Sequence, residues 1–274
     1  MKEEIMQHIF DTAGTSSQII EALQKYRMGA DHLSRRIFQI SPTNESRALQ
    51  MCQYEPLSEW VYNYMLRVCE AREADAATRL VTTLSMRSWS ASFRGMVFET
   101  EILRYFNSIK TDCSLPIRRL GQANQTPWSY PGPIDSRKFR EPTVIRYIKD
   151  AAKARKPLHL VPQPSNFPAV DSILYHPDRG LTFFQMTINS DHPIAVSGLK
   201  RIQKWLNDEP PVDLTNLRPN KTKPWCFIFV VPPDMAPDFE LQKLDGDSET
   251  DAWAEKVDQF VLGLKGAIEQ VNNT

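Results

Sequence analysis

Apolar positions in the first part of the chain recur at helical spacing. Ser16–Arg27 carries Ile19, Ile20, Leu23 and Tyr26 behind Ser and Thr residues suited to capping. A longer pattern from Leu57 to Met86 sets Trp60, Val61, Tyr64, Met65, Val68 and Cys69 on one stripe, followed by Ala76, Leu80 and Leu84. The only glycines in the first ninety residues are Gly14 and Gly29, and no chemical motif occurs there. Residues 1–88 therefore read as a helical N-terminal region.

The pattern then changes. Ser92–Asn107 predicts a helix on which Glu99 shares the apolar stripe of Met96, Ile102, Leu103 and Phe106, while Glu101 lies beside Arg104 and Tyr105 and reads as solvated. Leu120–Pro142 holds Pro127, Pro131, Gly132, Pro133 and Pro142, a density that predicts an ordered loop. A short basic helix follows within Thr143–Lys156. Ala169–Tyr175 and Leu181–Ile188 are the clearest strand-like runs, parted by the turn-forming His176–Gly180. A helix over Ser197–Asn207 precedes a third strand, Trp225–Val231, which stops at Pro232-Pro233. Asp251–Val271 predicts an amphipathic C-terminal helix carrying Trp253, Val257, Phe260, Val261, Leu264 and Ile268. Helix, hairpin, helix, strand, helix is a mixed α/β order. Residues 89–274 are thus expected to form one domain, a mixed sheet of four or five strands flanked by helices.

Composition narrows the choice. Of 274 residues, 41% are hydrophobic and 24% charged, as in ordinary globular proteins. The longest apolar run, Phe227–Val231, falls far short of the roughly 20 residues of a membrane span, so no membrane partner is expected. Met1-Lys2-Glu3-Glu4 leads into polar sequence without a secretory signal, which predicts an intracellular protein and makes the sequons at Asn44, Asn124, Asn220 and Asn272 chance matches. The four cysteines (Cys52, Cys69, Cys113, Cys226) are far apart and read as reduced and packed; the five histidines are equally scattered. No nucleophile elbow supports a serine or cysteine hydrolase. Net charge is zero, yet Arg94–Lys156 holds 13 Lys/Arg against 6 Asp/Glu, and Asp234–Asp258 holds 9 Asp/Glu against 2 Lys. The basic middle either lines a nucleic-acid groove or is one of two oppositely charged, solvated faces.

Hairpin geometry brings out candidate chemistry. A turn centred near Asp178 sets Asp171 opposite Gln185, with side chains on one face roughly 5 Å apart, and Thr187, two residues on, points to the same side. A one-residue slip would undo this. Asp171 stands in an apolar strand, where a lone carboxylate needs a partner or a metal; a hydrogen-bonding Asp at a strand start is the plainer reading. Glu99 raises the same question, and Arg94 five residues earlier could be its ion-pair partner. Two carboxylates and an amide suit Mg²⁺, which keeps several waters and orients a phosphate.

Arg94-Gly95-Met96-Val97-Phe98-Glu99, then Pro164-Ser165-Asn166-Phe167-Pro168-Ala169-Val170-Asp171-Ser172, then Phe184-Gln185-Met186-Thr187 with His192-Pro193-Ile194 and Gly198-Leu199, resembles the nuclease-like domain of Crinkler effectors. Similar domains occur in retrotransposon-hot-spot proteins, and Phe227–Pro232 resembles the strand that follows in them. The resemblance covers about residues 85–245 and implies the PD-(D/E)XK restriction-endonuclease-like fold. It implies a metal site of Glu99, Asp171 and Gln185 for Mg²⁺ or Mn²⁺. Thr187 falls where the pattern has its catalytic lysine; threonine can only hydrogen-bond, so Lys200 of the next helix, followed by Arg201 and Lys204, is the replacement proposed, against the reading of a solvated basic face. Gln185 brings no negative oxygen.

The implied activity is metal-dependent nucleic-acid hydrolysis, DNA ahead of RNA, with little sequence specificity, by an effector acting in a host nucleus. Substrate contacts are expected from Arg94, Arg137, Lys138, Arg140 and Arg146, and from His192, whose plainer reading is a structural turn histidine. An NTPase domain often precedes such domains, but no P-loop sequence occurs here. The rival expectation is a nuclease fold whose chemistry has decayed, kept to bind DNA or a host protein.

Overall fold

A computed structural model of the chain describes residues 38–42, 52–56, 59–72, 91–163, 167–208, 214–246 and 250–264. The chain divides into two compact units, Met1–Thr100 with Gly266–Thr274, and Glu101–Lys265.

In the first unit, β1 (Phe38–Pro42) pairs antiparallel with β2 (Cys52–Pro56). These strands correct the expectation of an all-helical start. They are short and sparsely apolar, and each finds its backbone partners in the other rather than in local sequence. Helix α1 (Glu59–Arg72) follows and buries Val61, Tyr62, Tyr64, Met65 and Leu66, matching the predicted stripe at its centre. The predicted helix over Ser16–Arg27 and the stretch from 73 to 86 lie outside the described residues.

Helix α2 (Ala91–Ser108) spans the division between the units. The second unit then runs β3 (Cys113–Arg119), β4 (Gln125–Tyr130), β5 (Asp135–Phe139), α3 (Glu141–Ala154), β6 (Leu158–Pro162), β7 (Ser172–His176), β8 (Gly180–Met186), β9 (Ile194–Ala195), α4 (Val196–Asp208), β10 (Trp225–Val231), β11 (Leu244–Asp245), α5 (Thr250–Ala254) and β12 (Val257–Gly263). Eight strands form one mixed sheet in the order β4-β3-β12-β10-β8-β7-β6-β5. The expected α/β architecture with helices flanking a mixed sheet is present; the sheet is larger than the four or five strands expected.

Two corrections explain its size. The Pro- and Gly-rich Leu120–Pro142 stretch is not a loop throughout: it supplies β4 and β5, the two edge strands. An edge strand needs only half its backbone groups paired, so proline and charge are tolerated there. The predicted helix over Asp251–Val271 is instead the short α5 and then β12, with the residues after 264 outside those described. Val257, Gln259 and Val261 alternate inward along β12, which lies parallel to β10.

Central strands are apolar because both faces are covered. All of β8 is buried, as is nearly all of β10. Against one face pack Val144, Ile145 and Ile148 from α3 and Val196, Leu199, Ile202 and Leu206 from α4, meeting Ile173, Tyr175, Leu181, Phe183, Phe227 and Phe229. On the other face Phe106 of α2 stacks on Tyr130 at 4.8 Å and meets His159 and Phe184. The β7–β8 turn closes at Gly180, whose φ of 83° suits a residue without Cβ.

Candidate active site

In the large sheet β3 and β7 run against the other six strands, so the beginning of β7 lies among the carboxyl ends of β6 and β8. The carboxyl edge of an α/β sheet is where unspent backbone groups and loops can meet a ligand.

Asp171 stands at this edge, one residue before β7. The observed pairs Ser172↔Phe184 and Ile173↔Phe183 continue by one residue to set Asp171 opposite Gln185, the register expected from the turn. Gln185 Nε2 donates to Asp171 Oδ2 at 2.8 Å, and the Met186 backbone N–H donates to the same oxygen at 2.7 Å. The Asp171 N–H in turn donates to the Phe184 carbonyl at 2.9 Å. The carboxylate thus caps a ladder N–H that β7 is too short to reach, and it holds Gln185 beside it.

The approach to Asp171 is tightly specified. Ala169 has φ 76°, a left-handed backbone that costs a residue with a Cβ about 1 kcal/mol. A Cβ at Gly198, in the first turn of α4, would fall 2.2 Å from the Pro168 carbonyl oxygen, so only glycine lets the helix press on this segment. Arg201, one turn on, lies 5.6 Å over the Phe167 ring and pairs with Glu141 of α3. Lys200, its neighbour on α4, is half-buried. At the ends of β5 and β6, Arg140 Nε donates to Gln163 Oε1 at 2.6 Å.

Thr187 continues β8, its N–H donating to Val230 O at 3.0 Å, and it is buried. Its hydroxyl accepts from the Asn189 N–H at 3.0 Å and lies 3.4 Å from His192 Nδ1. His192 is half-buried, which lowers its pKa, an effect that neighbouring Asp191 opposes. Its backbone N–H donates to Gln242 Oε1 at 2.6 Å. Gln242 and Gln259, both buried, exchange bonds of 3.0 and 2.9 Å between side chain and backbone. This polar chain fastens the loop after β8 to β12. Sequence reading missed it, because Gln259 was placed in a helix, where its alternation with Val257 and Val261 carries no meaning.

The other predicted residues are placed differently. Glu99 and Arg94 belong to the first unit, Glu99 half-buried and Arg94 exposed. The reading of Glu101 as solvated is overturned: it is 7% exposed and pairs with Arg104 at 3.5 Å. Phe98, Ile102 and Phe106 set the buried stripe of α2, and Glu101 lies three residues from Phe98 and four from Val97 on that side. Arg137 and Lys138 are exposed on β5; Arg137 Nε donates to Asp135 at 2.8 Å and its guanidinium lies 5.3 Å over the Tyr147 ring, which Arg146 also covers at 5.4 Å. They line the sheet's β5 edge rather than the Asp171 end. Arg118, which no sequence signal marked, clamps the carbonyls of Ala236, Pro237 and Phe239. Cys113 and Cys226 are free, and burial pushes the Cys226 thiol up to about 12, so it is protonated and inert.

The donor set can be weighed against a divalent cation. Asp171 brings two carboxylate oxygens, of which Oδ2 is engaged by N–H donors, and Gln185 brings an amide whose oxygen and nitrogen exchange places on a half-turn. Carboxylate plus amide oxygen fits a hard cation that keeps several waters, provided the Gln185 amide turns over. Among the described residues no three His, Cys, Asp or Glu side chains group as a ready cage. Among them also, no helix is long and apolar enough to cross a membrane.

No protein-family model matches the sequence, and neither a curated protein nor a solved structure matches it.

Proposed function

We propose that the second unit is a restriction-endonuclease-like domain and that the chain hydrolyses phosphodiesters, DNA ahead of RNA and with little sequence specificity, with Mg²⁺ or Mn²⁺. The observation that carries this reading is the pairing of Asp171 with Gln185 at the carboxyl edge of the sheet, where α4 is pressed against the segment leading into Asp171. The run α3, β6, β7, β8, β9, α4 supports it, since it places a helix before and after the hairpin that carries both residues.

Asp171 and Gln185, both in the second unit, would hold the cation; Glu99, which the resemblance implies as a further ligand, is tested by its own variant below. Bound there the cation would supply charge against the phosphate and a water of lowered pKa. The chain's own residues do the rest. Arg140, held at its Nε by Gln163, keeps its remaining N–H groups for a phosphate oxygen. Lys200 offers an ammonium from α4 for the charge that develops on phosphorus oxygens. Arg137, Lys138 and Arg146 extend a basic track along the β5 edge. In keeping with its resemblance to Crinkler and retrotransposon-hot-spot proteins, the proposed setting is an effector in a host nucleus, with an NTPase domain or a host nuclear protein as partner.

A second reading is favoured by one observation: Asp171 Oδ2 already accepts two hydrogen bonds, and Thr187, not lysine, follows Gln185. On that reading the fold binds DNA or a host protein without cutting. The experiment is cleavage of plasmid, linear and single-stranded DNA and of RNA, with Mg²⁺ and Mn²⁺, beside Asp171→Ala and Glu99→Ala. Metal-dependent cleavage abolished in both variants is expected. Folded protein that binds DNA without cutting it, and whose melting temperature Mg²⁺ does not raise, selects the binding reading. Neutralising Arg137, Lys138, Arg140 and Arg146 together is expected to weaken DNA binding and flatten its salt dependence.

A further inference from the structure

The position where the resemblance leads one to look for a lysine holds Thr187, and Thr187 is engaged by an imidazole. We propose that His192 is the general base of this site, taking through Nε2 a proton from the water that attacks phosphorus. The proposal rests on the hydrolytic reading above and assigns the proton acceptor that reading lacks.

Three observations carry it. His192 is held at two points, by its backbone N–H on Gln242 Oε1 at 2.6 Å and by Nδ1 beside Thr187 Oγ1 at 3.4 Å. Gln242 is itself fixed, its amide donating to Ser190 O at 3.0 Å and Glu240 O at 2.9 Å and its backbone bonded to Gln259. The ring is therefore positioned by a buried network rather than left to a turn. Second, Thr187 has one hydroxyl proton, and Asn189 O lies 3.5 Å from its oxygen as an acceptor. With that proton directed to Asn189, Oγ1 accepts from both the Asn189 N–H and a His192 Nδ1–H, which uses the full capacity of a hydroxyl. That tautomer leaves the lone pair on Nε2. Third, no hydrogen bond engages Nε2 among the described residues, and His192 is only half-buried, so its ring keeps access to solvent. Thr187 extends β8 two residues beyond Gln185 and on its face, so the imidazole is tied through Thr187 to the face of β8 that carries Gln185. Partial burial also favours the neutral ring that a base requires.

The step balances without a further reactant. A new O–P bond forms from the attacking water as one water proton passes to Nε2. The bond from phosphorus to the leaving nucleoside oxygen breaks with its electron pair, and that oxygen takes a proton from solvent. The imidazolium then returns its proton to solvent.

The test uses the full chain with Mg²⁺ on linear DNA. His192→Gln is expected to lower kcat by about 100-fold with KM little changed, in the range that general-base catalysis supplies. His192→Ala is expected to lose as much, and added imidazole to restore a concentration-dependent part of it, which a purely structural role would not allow. ¹⁵N NMR of the ring is expected to find the proton on Nδ1. Cleavage that survives His192→Gln within threefold while Asp171→Ala abolishes it would overturn this proposal and leave the nuclease reading standing. An Nε2–H tautomer, or no imidazole rescue in a variant that melts like the native chain, would overturn it too. No metal-dependent cleavage from the native chain would remove the reading and the proposal together.

Discussion

Asp171, one residue before β7, and His159, within the neighbouring β6, are both polar groups in an apolar sheet, but their surroundings satisfy them differently. Asp171 is half-buried and accepts from a side-chain amide and a backbone N–H. His159 is fully buried; Nδ1 meets the Tyr130 hydroxyl at 3.0 Å, and Nε2 has no partner. Ser172, one residue after Asp171 but on the opposite face, is equally buried, and its hydroxyl is also without a partner. The difference comes from the face of the sheet that the side chain joins, since Ser172 stands at the same strand end as Asp171 but on the face that His159 shares. At a strand end the ladder leaves backbone donors unspent, and Asp171 takes the one at Met186. On the opposite face the side chains around His159 are the rings of Phe106, Phe184 and Tyr130, which offer no such donor or acceptor to its Nε2. Polar groups at the carboxyl edge are therefore ready for use, whereas those under α2 store a cost.

The largest expected effect breaks the buried side of this contrast with acid. Burial lowers the His159 pKa from 6.5 to about 4. The unfolded chain thus binds this proton at a higher pH than the folded chain does. Stability from the neutral ring is full above pH 6.5, is lost as pH falls from 6.5 to about 4, and loses no more below that. The loss amounts to about 3 kcal/mol. Denaturant midpoints measured from pH 7 to 4 should show it, and His159→Phe should flatten this part of the profile.

Next in size, Asp171→Ala should lower stability at neutral pH by about 2 kcal/mol, because the Met186 N–H and the Gln185 amide lose their acceptor. Ser172→Ala, its immediate neighbour, should do the reverse: removing a buried hydroxyl with no partner is expected to be neutral or to stabilise by up to about 1 kcal/mol. Urea unfolding of the two variants side by side tests the contrast, and a Ser172→Ala protein as weak as Asp171→Ala would break it. Smallest, Ala169→Gly should relieve the left-handed backbone and raise stability by about 0.5 kcal/mol, visible as a small rise in melting temperature.

Legibility in the sequence follows the same line between local and non-local causes. Trp225–Val231 was expected and is β10 residue for residue, since a continuous apolar run bounded by Pro232-Pro233 leaves few alternatives. The β7–β8 register was readable because a Pro/Asp/Gly turn sets which residues oppose, and with it the Asp171–Gln185 pair. β12 was not readable: Val257, Phe260, Val261 and Leu264 also fit a helix. The strand wins only because β10 offers it a parallel partner along its whole length. The edge strands β4 and β5 hold too few apolar residues to announce themselves, and Glu101 is buried against expectation because it flanks the stripe of α2 that Phe98 and Ile102 set.

The sequence by itself determined the mixed α/β class of the second unit, its central hairpin and third strand, and the meeting of Asp171 with Gln185, because each depends on contacts between residues close along the chain. Only the tertiary structure decided that the sheet has eight strands, that Gln259 and Gln242 fasten His192 beside Thr187, and that His159 and Ser172 are buried with polar atoms unmet. Those features rest on neighbours far apart along the chain, Val261 of β12 pairing with Arg118 of β3, and no periodicity within a short window records which distant strand will supply the missing hydrogen bond.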